Sequence, residues 1–498
     1  MRRLLSLLMA FFIFSLIIPA QAYTQSDSVI KTVYLGYDYH PQALAYNPIS
    51  NKIYCANYRS DRSKNKVAII AGNSDSIIAK VTVGQFPWDL AFNSVNNKIY
   101  CANNEADNVT IISGTTNNII ATVSVGGYPK ALTYNPTNNK VYCANYGDSS
   151  VSIIDGATNG VIKKVYVGQR PQALVYNPLN NKVYCANDST SNISVIDGAK
   201  DSLIVVISCG KRPLALAYNP SDNKVYCANL YSHNVTVING TTNGIITTVS
   251  VGSYSYPYAL AYNSSNNKIY CANAGSNNIT VINGTTNAVI KTVSVGDAPK
   301  SLAYNPYNNR VYCANYYENS ISVIDGTTDN VVGTLAVKLW PLDLAYNSSN
   351  NKIYCANYGD TSVSVIGCYP GTDVPLEEDK ELAREFSLGQ NYPNPFNPST
   401  TIQFRVGSLE FGEPSPTTQK SVDGSRLIVH SPILTTLTVF NILGQKVKTL
   451  VDEEKLPGEY QVVWEGRDDK GDYVSSGVYF CQLKVGEYEK TKRMVLIR

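Results

Sequence analysis

Residues 171–187 read PQALVYNPLNNKVYCAN, and residues 191–198 read SNISVIDG. Three short runs, ALVYN, KVYCAN and ISVID, are rich in Val, Ile and Tyr, the residues that favour extended backbone. A fourth, VIKKVYVG, lies just upstream at 161–168. The connectors are turn chemistry: NPLNNK between the first two runs, and DG-x-T-N or NGTTN between the last two. Helix signals are absent.

The same frame recurs along the chain. YCAN occurs eight times, with cysteines at Cys55, Cys101, Cys143, Cys185, Cys227, Cys271, Cys313 and Cys355, mostly 42 residues apart. Four strands in that length is the period of a β-propeller blade. Ser28 is followed at once by VIKTVYLG, a fourth strand without the preceding three, and the last copy stops after its third strand at Gly367. The orphan strand is therefore expected to complete the last blade, which removes open sheet edges. The predicted fold is all-β: an eight-bladed propeller of four-stranded blades over 23–367, closed by its N-terminal strand.

The frame resembles the YVTN family of surface-layer-type propellers. Tyr-Cys-Ala-Asn stands for the family's Tyr-Val-Thr-Asn, and VSVIDG and VG-x-x-P also match. The resemblance covers 28–367; the family is often seven-bladed, and eight copies depart from that. The repeat cysteines occupy the valine position, where a small apolar residue is wanted and free cysteine serves. Equivalent points on adjacent blades are expected to lie too far apart for disulfides. Cys209 replaces the valine of the usual VG and reads as another packing residue; the pairing of Cys368 and Cys481 is left open.

The ends differ in character. Arg2 and Arg3, the apolar run Leu4–Ile18, Pro19 and Ala20-Gln21-Ala22 read as a signal peptide over 1–22. The run is shorter than the about 20 residues a membrane-spanning helix needs, so no stable span is expected. Residues 368–385 read as a polar linker. Beyond it TTIQFRV, LTVFNIL, EYQVVWEG, GVYFCQLKV and KRMVLI read as strands of a small Ig-like sandwich over 386–498. This stretch closely resembles the C-terminal sorting domain of type IX secretion cargo. The motif residues are Asn391, Pro393, Asn394, Pro395, Phe396, Asn397 and Pro398, then Gly444, Gly477 and Tyr479. The resemblance implies the type IX machinery as partner. It also implies a Gram-negative host, export through the inner membrane, and secretion or attachment at the outer surface. A polar insertion, 407–432, departs from relatives and reads as a surface loop.

Composition narrows the function. The chain has 498 residues, 41 basic and 38 acidic, so bulk charge does not drive it onto a polyanion. Only three histidines occur, and none has a second histidine at metal-ligand spacing. No cofactor, metal or catalytic residue is assigned. The most variable positions in the repeat are the G-x-x-P loops between blades, which in a propeller meet at the channel mouth. They supply the candidate ligand-binding rim: Tyr39, His40, Phe86, Trp88, Tyr128, Lys130, Arg170, Arg212, Tyr256, Tyr258, Lys300 and Trp340. Loops after YCAN add Tyr58, Arg59, Arg62, Tyr146, Tyr231, Tyr316 and Tyr358. Aromatic platforms with polar neighbours suit sugars, and interleaved cations suit anionic polymers, single-stranded nucleic acid among them. Equally, such side chains cover blade ends. The reading is a binding or adhesion module for a glycan, polymer or protein. The alternatives are a self-associating surface coat or a polysaccharide hydrolase or lyase using Asp89, Asp297 or Asp343.

Overall fold

The computed structural model describes residues 27–58, 65–369, 387–391, 394, 396–406, 433–455, 458–486 and 488–497. The signal peptide, Arg59, Arg62, the span 370–386, Tyr392, Pro393, Pro395 and the insertion 407–432 lie outside them. The chain divides into two compact units, Met1–Thr372 and Asp373–Arg498.

In the first unit each copy of the repeat forms a four-stranded antiparallel sheet in sequential order, so the unit is all-β and propeller-like. The first sheet contains His40–Asn47, Lys52–Tyr58, Lys66–Ala71 and Ser76–Thr82. The last contains Pro341–Asn347, Lys352–Asn357 and Ser362–Gly367, and its fourth strand is Ser28–Tyr34 from the chain start. The two middle strands of each sheet are buried on both faces, which explains their unbroken apolar runs. Each seam has its own apolar cluster. One joins Tyr54, Val67 and Ile69 of the first sheet to Leu90, Ile99 and Cys101 of the second.

The asparagines of the frame do two jobs. In NPLNNK, Asn177 Oδ1 accepts the N–H groups of Leu179 and Asn180 and so builds the turn. Asn181 sits at φ 48°, a left-handed conformation that Asn tolerates. Its Oδ1 accepts from Asn135 Nδ2 of the preceding sheet at 2.7 Å. The same Asn–Asn bond joins every sheet to the next, and Asn347 of the last sheet donates to Asn51 of the first at 2.7 Å.

The lysine and tyrosine of KVYCAN also cross the seams. Lys140 Nζ meets Asp201 of the next sheet at 2.6 Å, and Lys268 meets Asp329 at 2.7 Å. At the last two seams the pattern wraps onto the chain start. Arg310 pairs with Asp27 at 2.9 Å and Lys352 with Asp75 at 2.6 Å, while the hydroxyls of Tyr312 and Tyr354 donate to the same carboxylates. Cys368, expected in the linker, is instead buried with this unit, and the N–H of Tyr369 donates to Asp27. Cys368 and Tyr369 thus pack with the first unit.

The second unit has two sheets: Ser387–Leu388 with Thr400–Val406 and Gly458–Trp464, and a four-stranded sheet of Lys446–Lys455, Ile433–Asn441, Gly477–Val485 and Tyr488–Leu496. Both contribute to one core around Phe396, Phe404, Leu437, Trp464 and Tyr479. Cys481 is buried in it.

Candidate functional site

The two sets of variable loops lie at one end of the first unit, tied backbone to backbone. The N–H groups of Asn104, Tyr146, Asp188, Leu230, Ala274, Tyr316 and Tyr358 donate to the carbonyls of Phe86, Tyr128, Arg170, Arg212, Tyr256, Ala298 and Trp340. Each acceptor is the residue just before the proline of G-x-x-P, and each has φ between 49° and 57°. A left-handed backbone suits Gly or Asn, and a following proline disfavours it further. Six of the seven positions nevertheless carry an aromatic residue or arginine, Phe86, Tyr128, Arg170, Arg212, Tyr256 and Trp340; the seventh is Ala298.

Some of these side chains join a stacked arc with neighbouring rings. His40 stacks on Tyr58 at 5.1 Å, Tyr58 lies 4.4 Å from Phe86, and Phe86 stacks on Trp88 at 5.5 Å. In the other direction the Tyr58 and Tyr358 hydroxyls share a 2.5 Å hydrogen bond, Tyr358 lies 6.3 Å from Trp340, and Trp340 stacks on Tyr316 at 5.9 Å. Cations cap both ends of this arc. Lys130 Nζ sits over Trp88 at 4.9 Å and Tyr146 at 4.6 Å, with Arg170 5.6 Å from the same tyrosine. Lys300 Nζ lies 3.8 Å from the Tyr316 ring centre and 5.4 Å from that of Tyr258. Burial lowers the pKa of both lysines. Among the described residues neither they nor Arg170 has a carboxylate within ion-pair distance. Trp88, Tyr128, Lys130, Tyr146, Gln169 and Arg170 line an open cavity of about 560 Å³.

Some expected rim residues stand apart. Tyr39 packs against the apolar cluster of the last and first sheets, with Lys80 5.5 Å from its ring centre. Arg212 is engaged: its Nε donates to Asp188 at 2.8 Å and its Nη1 to the Tyr231 hydroxyl at 2.8 Å. Tyr256 belongs to a second cluster with Tyr231, at 6.2 Å, and His233, at 4.8 Å. Asp188 escaped the sequence reading, and His233 was read there only as an isolated histidine. Asp188 is the one acidic residue directly after a YCAN, a signal that could have found it.

Asp89 and Asp343 sit one residue further along their inner strands than Trp88 and Leu342, and each bridges to the next sheet. Asp89 accepts the N–H groups of Leu90 and Leu132 at 2.8 and 2.7 Å. Asp343 accepts the Leu44 N–H at 2.8 Å and the Ser301 hydroxyl at 3.2 Å. Burial, the largest influence, raises Asp89 to about 7 and Asp343 to about 6, against these hydrogen bonds. Asp297 lies in an exposed loop, where its N–H donates to Glu318. Among the described residues no three of His, Cys, Asp and Glu are grouped to hold a metal ion.

In the second unit Asn394 and Phe396 are bonded to the last strand, and Asn391 to Thr400. Asn391 donates to Thr400 at 3.0 Å, and Asn394 accepts the Val495 N–H at 2.9 Å. Phe396 exchanges backbone bonds with Val495 and Ile497 and packs 5.5 Å from Trp464. Gly444 turns at φ 74°, Gly477 opens a strand, and the Tyr479 hydroxyl donates to the Ser475 carbonyl at 2.7 Å. Asn397 and Pro398 follow at the bend before Thr400.

No family model matches the chain, and no curated protein does. Solved structures do match. The chain is similar to Saccharomyces cerevisiae Sqt1, with 13 % identity and a TM-score of 0.60 over 70 % of this chain and all of that one. It is also similar to Kuenenia stuttgartiensis hydrazine synthase, with 17 % identity and a TM-score of 0.49 over 57 % of this chain and 96 % of that one. The likeness to Sqt1 shows the fold alone: an all-β chain of repeated four-stranded sheets.

Proposed function

We propose that the first unit is an eight-bladed β-propeller closed by Ser28–Tyr34, and that its aromatic and cationic end binds an extracellular anionic glycan or similar polymer. The wrap of the asparagine bonds and of Asp27 onto the last sheet supports closure. The observation that carries the binding reading is the seven left-handed turns. A bulky side chain there costs about 1–2 kcal/mol relative to glycine, and strain of this kind gathers at functional sites. The rings present flat apolar faces, and Lys130, Arg170 and Lys300 stand among them with no carboxylate at ion-pair distance among the described residues. Uronate sugars combine an apolar ring face with a carboxylate, and so fit both features.

The address reading is that a signal peptide starts export and the second unit is a type IX sorting domain that takes the protein to the outer surface. The bonds from Asn391, Asn394 and Phe396 to neighbouring strands give those motif residues a structural reason. Binding is favoured over hydrolysis or lysis because Asp89 and Asp343 already serve backbone N–H groups. A self-associating coat is the second reading. Its support is the exposed apolar pairs on outer strands, such as Ile119 with Ile120 and Ile245 with Ile246.

The test is a pull-down against neutral and uronate polysaccharides. Trp88→Ala with Trp340→Ala is expected to weaken uronate binding by at least about tenfold, and added salt weakens it too. Absence of binding to any polymer overturns the reading.

A further inference from the structure

The repeat acts as its own control at one further place. The residue that leaves each outer strand packs against the YCAN cysteine of the following sheet. Val83 shares a cluster with Cys101, Val125 with Cys143, Val167 with Cys185, and Val295 with Cys313. Leu35, Val251 and Val337 do the same with Cys55, Cys271 and Cys355. At the remaining seam both partners are cysteines. Cys209 takes the valine's place and packs in one cluster with Cys227. The two thiols interact side chain to side chain, and burial first, then Cys209, pushes the Cys227 thiol well up. Cys209 is partly exposed, while Cys227 is buried. Of the two, Cys209 is therefore the residue nearer solvent, and an external disulfide would meet it first.

We propose that Cys209 and Cys227 form a disulfide that clips the fourth sheet to the fifth when the folded chain meets an external disulfide. The Cys209 thiolate attacks that disulfide and expels one external thiol. The Cys227 thiol gives its proton to the first external thiolate, and its sulfur then attacks the Cys209 sulfur and expels the second external thiol, which takes a proton from water. Two protein thiols are oxidised, and one external disulfide is reduced to two thiols. This does not rest on the binding reading. Cys227 is itself a repeat cysteine, but Cys209 is not, and no other repeat cysteine has a cysteine at the position that Cys209 takes.

The full chain, incubated with oxidised glutathione, denatured and alkylated, tests it by peptide mass. The expected result is loss of two of the eleven free thiols and a cross-linked species joining the peptides of Cys209 and Cys227. Cys209→Val restores the residue used at six other seams, should fold, and should keep its remaining thiols. Oxidation should also slow unfolding of the parent but not of that variant. Eleven alkylated thiols after treatment would overturn the proposal. So would a cross-link elsewhere, for instance between Cys355 and Cys368, which share a cluster.

Discussion

Asp89 and Asp343 show how far a single residue type misleads when its depth is unknown. Carboxylates beside an aromatic mouth read as candidate acids. In the fold they tie one inner strand to the next through backbone N–H groups. Their burial has a consequence in pH. With pKa values raised to about 7 and about 6, the folded chain takes up protons at pH values where the unfolded chain, titrating near the usual carboxylate range, does not. These two groups therefore favour the fold more at pH 5 than at pH 8. Asp89→Asn with Asp343→Asn removes that contribution. Thermal melts should show the difference in Tm between pH 5 and pH 8 shifting toward greater relative stability at pH 8. An unchanged difference would contradict the burial argument. Arg212 and Tyr39 carry the same lesson. Their loop positions were legible, but whether a side chain joins the arc depends on neighbours. Asp188 takes one and the seam core takes the other.

At the scale of the element, the turns and strands were legible because eight copies repeat them. The third asparagine of NPLNNK, Asn181, and its counterpart in every other copy are left-handed, a conformation Asn tolerates better than most residues. Asn181→Gly and Asn181→Ala both lose the bond from Asn135, but only alanine also meets the left-handed backbone. Denaturant midpoints should place the alanine variant below the glycine variant by about 1 kcal/mol, the reverse of the usual order within regular structure. Which face of each strand meets which neighbour was less legible. Middle strands buried on both sides show no alternation to read. The Cys209 seam escaped for this reason, since a lone valine-to-cysteine change carries no signal until its partner across the seam is known.

For the whole molecule, the orphan first strand was the decisive sequence feature, and its pairing with Ser362–Gly367 is what the chain adopts. Asp27 was not foreseen. It stands where Asp201 and Asp329 stand in other sheets, and it compensates a nearly buried Arg310. Removing one partner of such a pair leaves an uncompensated charge, so Asp27→Ala should cost about 3 kcal/mol. A substitution at the exposed Lys31 should cost little by comparison, and equal effects on thermal unfolding would argue against Asp27 as a closing contact. The C-terminal unit was legible as strands from alternation, and its motif residues from resemblance. The bonds that fasten Asn394 and Phe396 to the last strand needed three dimensions. The central claim is a closed eight-bladed ring whose variable end binds an anionic sugar. An experimental structure of the chain soaked with an oligouronate tests it most directly. The account predicts Ser28–Tyr34 docked as the fourth strand of the last blade, with sugar density over Trp88, Lys130, Tyr146 and Arg170. An undocked first strand, or a mouth without bound sugar at saturating concentration, would contradict it.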